Sequence, residues 1–239
     1  MKRKNGVALW RQIADRIRQE ISAGTHDATG MLPPEMSLSE KFGVNRHTVR
    51  SAIAALASEG IVEPLQGRGT MIIRKGRLSF PISKRTRFTA GISDQVKDME
   101  ALLLSHSTEQ ANEDLASRLK LSVGDFLIRM EILRKADHRP VSRSTTWFPA
   151  SRFSGIEEAY RASGSITSAF AKLGLSDYIR ATTVISATHA DTGDLSDLEL
   201  SPGAIVLVTQ ALNTDMDGTP VQYASSRFSA DSVEFTIDN

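Results

Sequence analysis

The chain has 239 residues, with 29 Lys+Arg against 28 Asp+Glu for a formal net charge of +1, and it has no Cys. That length accommodates two modest domains with separate cores, and the missing thiols exclude a disulfide framework and thiolate metal sites. No apolar run has membrane-spanning length, and the basic start MKRKNGVALW leads into a charged helical pattern, so a soluble cytoplasmic protein with no membrane partner is expected. The near-zero net charge hides an asymmetry. Residues 1–77 hold 13 Lys+Arg and 7 Asp+Glu, while the rest hold 16 and 21. A basic head on an acidic body suits a nucleic-acid-binding domain joined to one that stays off the phosphates.

In chain order, Leu9, Ile13, Ile17 and Ile21 form an i, i+4 stripe with Trp10 and Ala14 beside it. This predicts an amphipathic helix over Ala8–Ala23, ended by Gly24. Thr25–Met31 reads as a loop. Pro33-Pro34 precede a short helix over Glu35–Phe42, closed by a left-handed Gly43. Asn45 is a good N-cap for a helix over Arg46–Ser58. Its inward face is Val49, Ala52, Ile53 and Leu56; Arg46 and Arg50, one turn apart, share another face. Candidate partners for a plain surface pairing of these arginines are Glu40 and Glu59. After Gly60, Ile61–Glu63 and Thr70–Ile73 read as a hairpin tipped by Gly67-Arg68-Gly69. No helix follows these glycines and no Gly-Lys-Ser/Thr is present, so they make no P-loop or dinucleotide site.

This is the pattern of a winged helix-turn-helix, whose second helix places its N-terminal residues at base edges. Arg suits the guanine O6/N7 pair. Leu32–Ile73 resembles the DNA-binding domain of the GntR family of bacterial transcription regulators. The resemblance rests on Leu32-Pro33-Pro34-Glu35, Gly43-Val44-Asn45-Arg46-His47-Thr48-Val49-Arg50, Glu59-Gly60 and Gln66-Gly67-Arg68-Gly69-Thr70. It implies a homodimer on palindromic double-stranded operator DNA, contacted by Arg46, His47, Thr48, Arg50, Gly67, Arg68 and Gly69. The family often has Arg where this chain has Met36.

The expected domains are 1–75 (winged helix-turn-helix), 76–88 (linker) and 89–239 (effector-binding). In the body, Leu119-x-Leu121-x-x-Gly124, a β-prone run, Asp137–Val141 and Phe148 recur as Leu198-x-Leu200-x-x-Gly203, a β-prone run, Asp217–Val221 and Phe228. Each copy reads as a short helix, a strand, a tight turn and a returning strand. Two such units are expected to pair into one antiparallel sheet of pseudo-twofold character, with a ligand cavity at the seam. Short helices are expected at 155–163 and 166–173, and a long strand at 178–190. The fold class is therefore α+β.

The body resembles the effector (UTRA) domain of the HutC branch of the same family, which implies a chorismate-lyase-like antiparallel fold. It does so through Arg134-Lys135-Ala136-Asp137, Phe148-Pro149, Gly164-Ser165-Ile166 and Asp217-Gly218-Thr219-Pro220-Val221-Gln222-Tyr223. Finer features, among them Arg85–Phe88, Ser144–Phe153 and Asp177-Tyr178-Ile179-Arg180, resemble the phosphonate-metabolism regulators of that branch. The implied function is a repressor of a phosphonate uptake or utilisation operon, modulated by a small anionic metabolite. The alternative is a HutC-type regulator of another catabolic operon, for an amino sugar or an amino acid derivative; a remoter one is a lyase-like enzyme with a DNA-binding head.

The implied effector residues are Arg87, Thr89, Arg134, Ser144, Ser165, Gln222 and Phe228. Ser165 is equally a helix N-cap, Phe228 equally core, and Arg134 equally a solvated strand residue. Where sugar-phosphate-binding relatives clamp phosphate with two Arg one residue apart, this chain has Arg134 and Ile132. His26, His47, His106, His138 and His189 show no metal-ligand spacing and no nucleophile elbow appears, so no metal, cofactor or catalytic residue is expected.

Overall fold

The computed structural model describes residues 8–26, 28–58, 60–73, 77–85, 92–200 and 202–237. The chain divides into two compact units, residues 1–76 and 77–239.

The first unit contains helices α1 (Leu9–Ser22), α2 (Glu35–Phe42) and α3 (Arg46–Ser58), then the hairpin β1 (Val62–Leu65) and β2 (Gly69–Ile72). The apolar stripe of α1 is its buried face: Ile13, Ala14 and Ile17 pack with Leu38 of α2 and with Val49, Ala52, Ile53 and Leu56 of α3. Gly43 takes the left-handed conformation that stops α2 (φ +63°). In the hairpin Val62 pairs with Ile72 and Leu65 with Gly69. These elements follow the sequence pattern because their starts and stops are local: a capping side chain, a proline or a positive-φ glycine.

The second unit is built on a six-stranded antiparallel sheet. Its strands are β4 (Met99–Gln110), β5 (Phe126–Ala136), β6 (Arg139–Pro149), β7 (Ile179–His189), β8 (Ile205–Thr214) and β9 (Pro220–Ser229), in the order β4-β5-β6-β9-β8-β7. Helix α4 (Glu113–Leu119) joins β4 to β5, and α8 (Thr192–Asp197) joins β7 to β8. Each half thus reads strand, helix, strand, strand, and the two halves meet along β6 and β9. Thr145 lies directly opposite Ser225, its counterpart 80 positions on, the same offset that separates Phe148 from Phe228. The pseudo-twofold axis therefore runs between these two residues, where the repeat in the sequence places it.

The two faces of the sheet are covered differently. One carries α4, packed on Leu127 and Tyr223, and α8, whose following residue Leu198 packs on Leu133, Val206 and Val208. The other carries α5 (Ala150–Phe153), α6 (Ile156–Ser163) and α7 (Ile166–Lys172), all inserted between the repeats. There Phe148, Phe153 and Phe170 meet with ring centroids 4.9–6.4 Å apart. The same face is also covered by a parallel two-stranded ribbon of β3 (Leu78–Pro81) and β10 (Val233–Thr236). Its Phe80 packs on Phe228 and Phe235 at 5.7 and 5.9 Å. This revises the expected linker over 76–88. Residues 78–81 are a strand of the second unit, held by a partner some 150 residues away in sequence that no local pattern announces.

Candidate nucleic-acid interface and effector cavity

Asn45 Oδ1 accepts both the amide and the hydroxyl of Thr48, at 2.8 and 2.7 Å. That cap starts α3 at Arg46 and leaves Arg46, His47 and Arg50 exposed, while the Thr48 hydroxyl proton is engaged by Asn45. The Arg46 and Arg50 side chains are 61% and 67% exposed, and between them lies Glu35, the first residue of α2. One Glu35 oxygen is 3.6 Å from Arg46 Nη2 and the other 3.7 Å from Arg50 Nε. Such loose, solvated pairs contribute little stability. Their consequence is geometric: one carboxylate holds both guanidinia on the same side of the helix. The partner is Glu35, not Glu40; Glu59 lies outside the described residues. At the wing, the Arg68 amide donates to the Leu65 carbonyl at 3.0 Å and closes the turn. Gly67 and Gly69 have φ of +70° and +98°, which L side chains rarely adopt. Arg68 is exposed, and so is Met36. The arrangement offers three cations and an apolar side chain to a duplex, with backbone at the wing free to approach closely.

In the second unit a cavity of about 80 Å³, room for several water-sized groups, lies on the sheet face that carries the inserted helices and the ribbon. Alternate residues of the strands line it, including Arg134, Ser144, Gln222 and Phe228; Phe80 and Ile166 enter from the covering elements. Four of the expected effector residues therefore come together. Ser165 is not among the lining residues: its hydroxyl accepts the Ser168 amide at 3.3 Å as the N-cap of α7, the other role its position suggested. Arg87 and Thr89 lie outside the described residues. Phe228 is both core and wall, 3% exposed in the aromatic cluster and facing the cavity.

The polar wall has a defined direction. Asn213 Nδ2 donates to Gln222 Oε1 at 2.7 Å, Gln222 Nε2 donates to Thr146 Oγ1 at 2.7 Å, and that hydroxyl donates to the Tyr223 carbonyl at 3.2 Å. Because the final acceptor is a carbonyl, the orientation of both amides follows. It leaves Asn213 Oδ1 buried without a hydrogen-bond partner among the described residues. Ser144 donates to Ser226 at 2.8 Å. Tyr160 of α6 is fully buried, and burial pushes its phenol above the ordinary range while the Arg134 guanidinium opposes the rise. No acidic side chain lines the cavity among the described residues. The chemistry on offer is cationic and hydrogen-bonding, with apolar ends.

Comparison with known proteins matches residues 9–72 to the bacterial regulatory proteins, gntR family, and residues 94–234 to the UTRA domain. The chain belongs to the GntR family, in its UTRA-containing branch. It is 52% identical over 238 residues, 100% of this chain and 98% of the other, to the uncharacterized HTH-type transcriptional regulator RB1450 of Rhizobium meliloti (strain 1021). It is 33% identical, over 61% of this chain and 60% of the other, to the mannosyl-D-glycerate transport/metabolism system repressor MngR of Escherichia coli (strain K12). Among solved structures, PhnF from Mycobacterium smegmatis superposes with a TM-score of 0.64 at 24% identity, over 93% of this chain and 98% of the other. The chain is accordingly a transcriptional regulator. No helix among its described residues is long and apolar enough to cross a membrane.

Family resemblance and residue type missed several members of these sites. Glu35 was visible as part of a motif but not as the residue between two arginines. Thr146, Asn213 and Arg180 line the cavity; Thr146 and Arg180 stand in motifs of the family resemblance, but nothing marks any of the three as a lining residue until the register is known. Asp98, Glu100 and His138 meet at the exposed tip of the β5–β6 hairpin, with His138 Nδ1 2.9 Å from Glu100 Oε1. His138 lies in the β5–β6 turn, and the cluster is a surface hydrogen-bonding contact between that turn and the start of β4.

Proposed function

We propose that this regulator is a repressor that binds a palindromic operator as a homodimer and is released when a small anionic metabolite occupies the effector cavity. Arg46, His47 and Arg50 would read base edges in the major groove, Thr48 would brace the backbone approach, and the Gly67–Gly69 wing with Arg68 would hold the adjacent phosphates. The observation that carries the reading is the combination, in one chain, of arginines displayed at the start of α3 and a cavity walled by arginine with no acidic residue among the described lining.

Release follows if ligand changes the separation of two heads that must match half-sites about one helical turn, or a multiple of it, apart. Phe80 supports a route for that coupling. It lines the cavity and sits three residues after the division between the units, at the start of the segment Phe80–Phe88. The site of action would be the cytoplasm, where operator DNA is.

The finer proposal, that the operon concerns phosphonates, rests on the resemblance carried by Arg85–Phe88, Ser144–Phe153 and Asp177–Arg180. A second reading is favoured by the identity to the mannosyl-D-glycerate transport/metabolism system repressor MngR, whose named system also concerns an acid. The deciding experiment is fluorescence anisotropy on DNA from the neighbouring operon, titrated with 2-aminoethylphosphonate, methylphosphonate and glycerate. Release by the phosphonates alone supports the first reading, and release by glycerate alone the second. Replacing Arg46 and Arg50 together by Ala should abolish preference for the operator over random DNA while leaving the melting profile intact; retained preference would refute their role.

A further inference from the structure

Arg180 is the second residue of β7, opposite Asn213, and faces the cavity. Its Nε is buried and has no hydrogen-bond partner among the described residues. Burial lowers its pKa from the usual arginine range, the nearby Tyr178 opposing this. A buried guanidinium nitrogen without an acceptor is a costly feature in a folded protein, and proteins retain such features where a ligand supplies the missing partner. No Asp or Glu lines this cavity among the described residues to do so from within.

We propose that Arg180 is an effector-anchoring residue, and that the cavity takes a short dianion carrying its two charges apart and a hydrogen-bond donor between them. The inference rests on reading the cavity as the effector site. Arg134 lies on β5 and Arg180 on β7, and β6, β9 and β8 separate them. Four strand spacings amount to about 19 Å across the strands, and the pairing adds an offset along them, since the β7 residue in line with Arg134 is Ala187. The two side chains therefore reach into the cavity from opposite sides, and one phosphate gripped by both is the wrong picture. Between them, Asn213 Oδ1 offers an acceptor that the protein leaves unused, so the ligand's middle brings an O–H or N–H. Position 132, where the sugar-phosphate-binding relatives carry their second arginine, is Ile here and lines the same cavity. Arg134 and Arg180, on strands so far apart, form a brace for two anionic groups and not a clamp on one.

The test is thermal melting of the full chain and of Arg180→Gln, Arg180→Met, Arg180→Lys and Arg134→Gln at matched ionic strength. The probes are 3-phosphoglycerate (two separated anionic groups and a hydroxyl), glycerol 3-phosphate (one anionic group) and inorganic phosphate. Without any probe, Arg180→Met is expected to melt a few degrees higher than the wild type, because an unpaired buried cation is removed. A lower melting temperature would show Arg180 to be structural and overturn the proposal. With 3-phosphoglycerate at about 100 times its Kd, the wild type should rise by about 5–10 °C. Arg180→Gln should lose the advantage of 3-phosphoglycerate over glycerol 3-phosphate, and Arg180→Lys should keep part of it. If Arg134→Gln loses the response while Arg180→Gln responds as the wild type does, the effector reading stands and the role of Arg180 falls. If none of the three probes shifts the wild type, the dianion class and the anionic-effector reading fall together.

Discussion

Asp194 and Arg227 form the most enclosed ion pair of the effector unit, and their unequal burial yields an ordered prediction. Arg227 Nε donates to Asp194 Oδ1 and Oδ2 at 2.7 and 2.8 Å, and Nη2 donates to Oδ2 at 2.5 Å. Asp194 also accepts the Asp191 amide at 3.0 Å in a capping box at the start of α8. Asp194 is 0% exposed, whereas the Arg227 side chain is 24% exposed and has Asp191 a further 3.4 Å away. Removing one partner of a buried pair costs about 3–5 kcal/mol, most of it from the charge left behind. Arg227→Ala strands a carboxylate with no access to water and belongs at the upper end. Asp194→Ala leaves a guanidinium that still reaches solvent and Asp191, so about 3 kcal/mol is expected, including roughly 1 kcal/mol for the lost cap. At about 2–4 °C per kcal/mol for a unit of this size, Asp194→Ala should lower the melting temperature by about 6–12 °C and Arg227→Ala by more. Scanning calorimetry of the full chain reads both, and the transition of residues 1–76 serves as the internal control. A larger loss for Asp194→Ala than for Arg227→Ala, or losses below 1 °C, would refute the reasoning from burial.

Glu35→Gln removes the only carboxylate that the structure places between Arg46 and Arg50 among the described residues. Affinity for random DNA should rise severalfold at low salt, and the preference for operator should narrow, in paired anisotropy titrations; unchanged preference would rule out a positioning role. Asn45→Ala removes the acceptor for the Thr48 amide and hydroxyl and should destabilise residues 1–76 by about 1 kcal/mol, seen as a shift in the chemical denaturation midpoint of that unit. Asp215 is the third case. Burial raises its pKa, but the Arg152 guanidinium and the Thr219 and Asp217 amides outweigh it and hold the carboxyl below the usual range. A depressed folded pKa contributes stability in full above about pH 4, the unfolded value, and loses it as pH falls through the lowered one. Arg152→Ala should therefore flatten the decline in melting temperature between pH 4 and 2; an unchanged slope would show that the pair contributes nothing there.

How much was legible depended on whether the determinant was local. The whole helix-turn-helix could be read because Asn45, Gly43, Pro34 and Gly67 act on residues within four positions of themselves. The repeat was legible because two copies of one pattern corroborate each other, and from it came the sheet's symmetry and the seam. Strand β4 was not read: most of MEALLLSHSTEQ is exposed at an edge, so its apolar residues, Leu102 and Leu104 among them, do not alternate. Nor was the β3–β10 ribbon, whose pairing spans nearly the whole effector unit. Family resemblance brought Arg134, Ser144, Gln222 and Phe228 to one cavity. It pointed to Ser165, whose capping role keeps it out. Arg180 stands in the Asp177–Arg180 motif of that resemblance but was not read as an effector residue, since what distinguishes it from a solvated strand arginine is the absence of an acceptor around a buried nitrogen among the described residues.

The repeat also explains why there is a cavity at all. Phe148 and Phe228 are equivalent positions on equivalent strands, and both are buried. In the first copy, Phe148 is covered by Phe153 and Phe170 from helices inserted between the repeats. In the second, Phe228 is covered by Phe80 and Phe235 from the chain's two flanking strands. A symmetric sheet has thus acquired two unlike covers, one helical and one a ribbon, and they need not meet over the axis. The gap between them is the cavity, bordered by Ile166 on the helical side and Phe80 on the ribbon side. Ile166 and Phe80 thus bring both covers to the cavity wall. The ribbon strand that carries Phe80 begins at Leu78, the second residue of the effector unit.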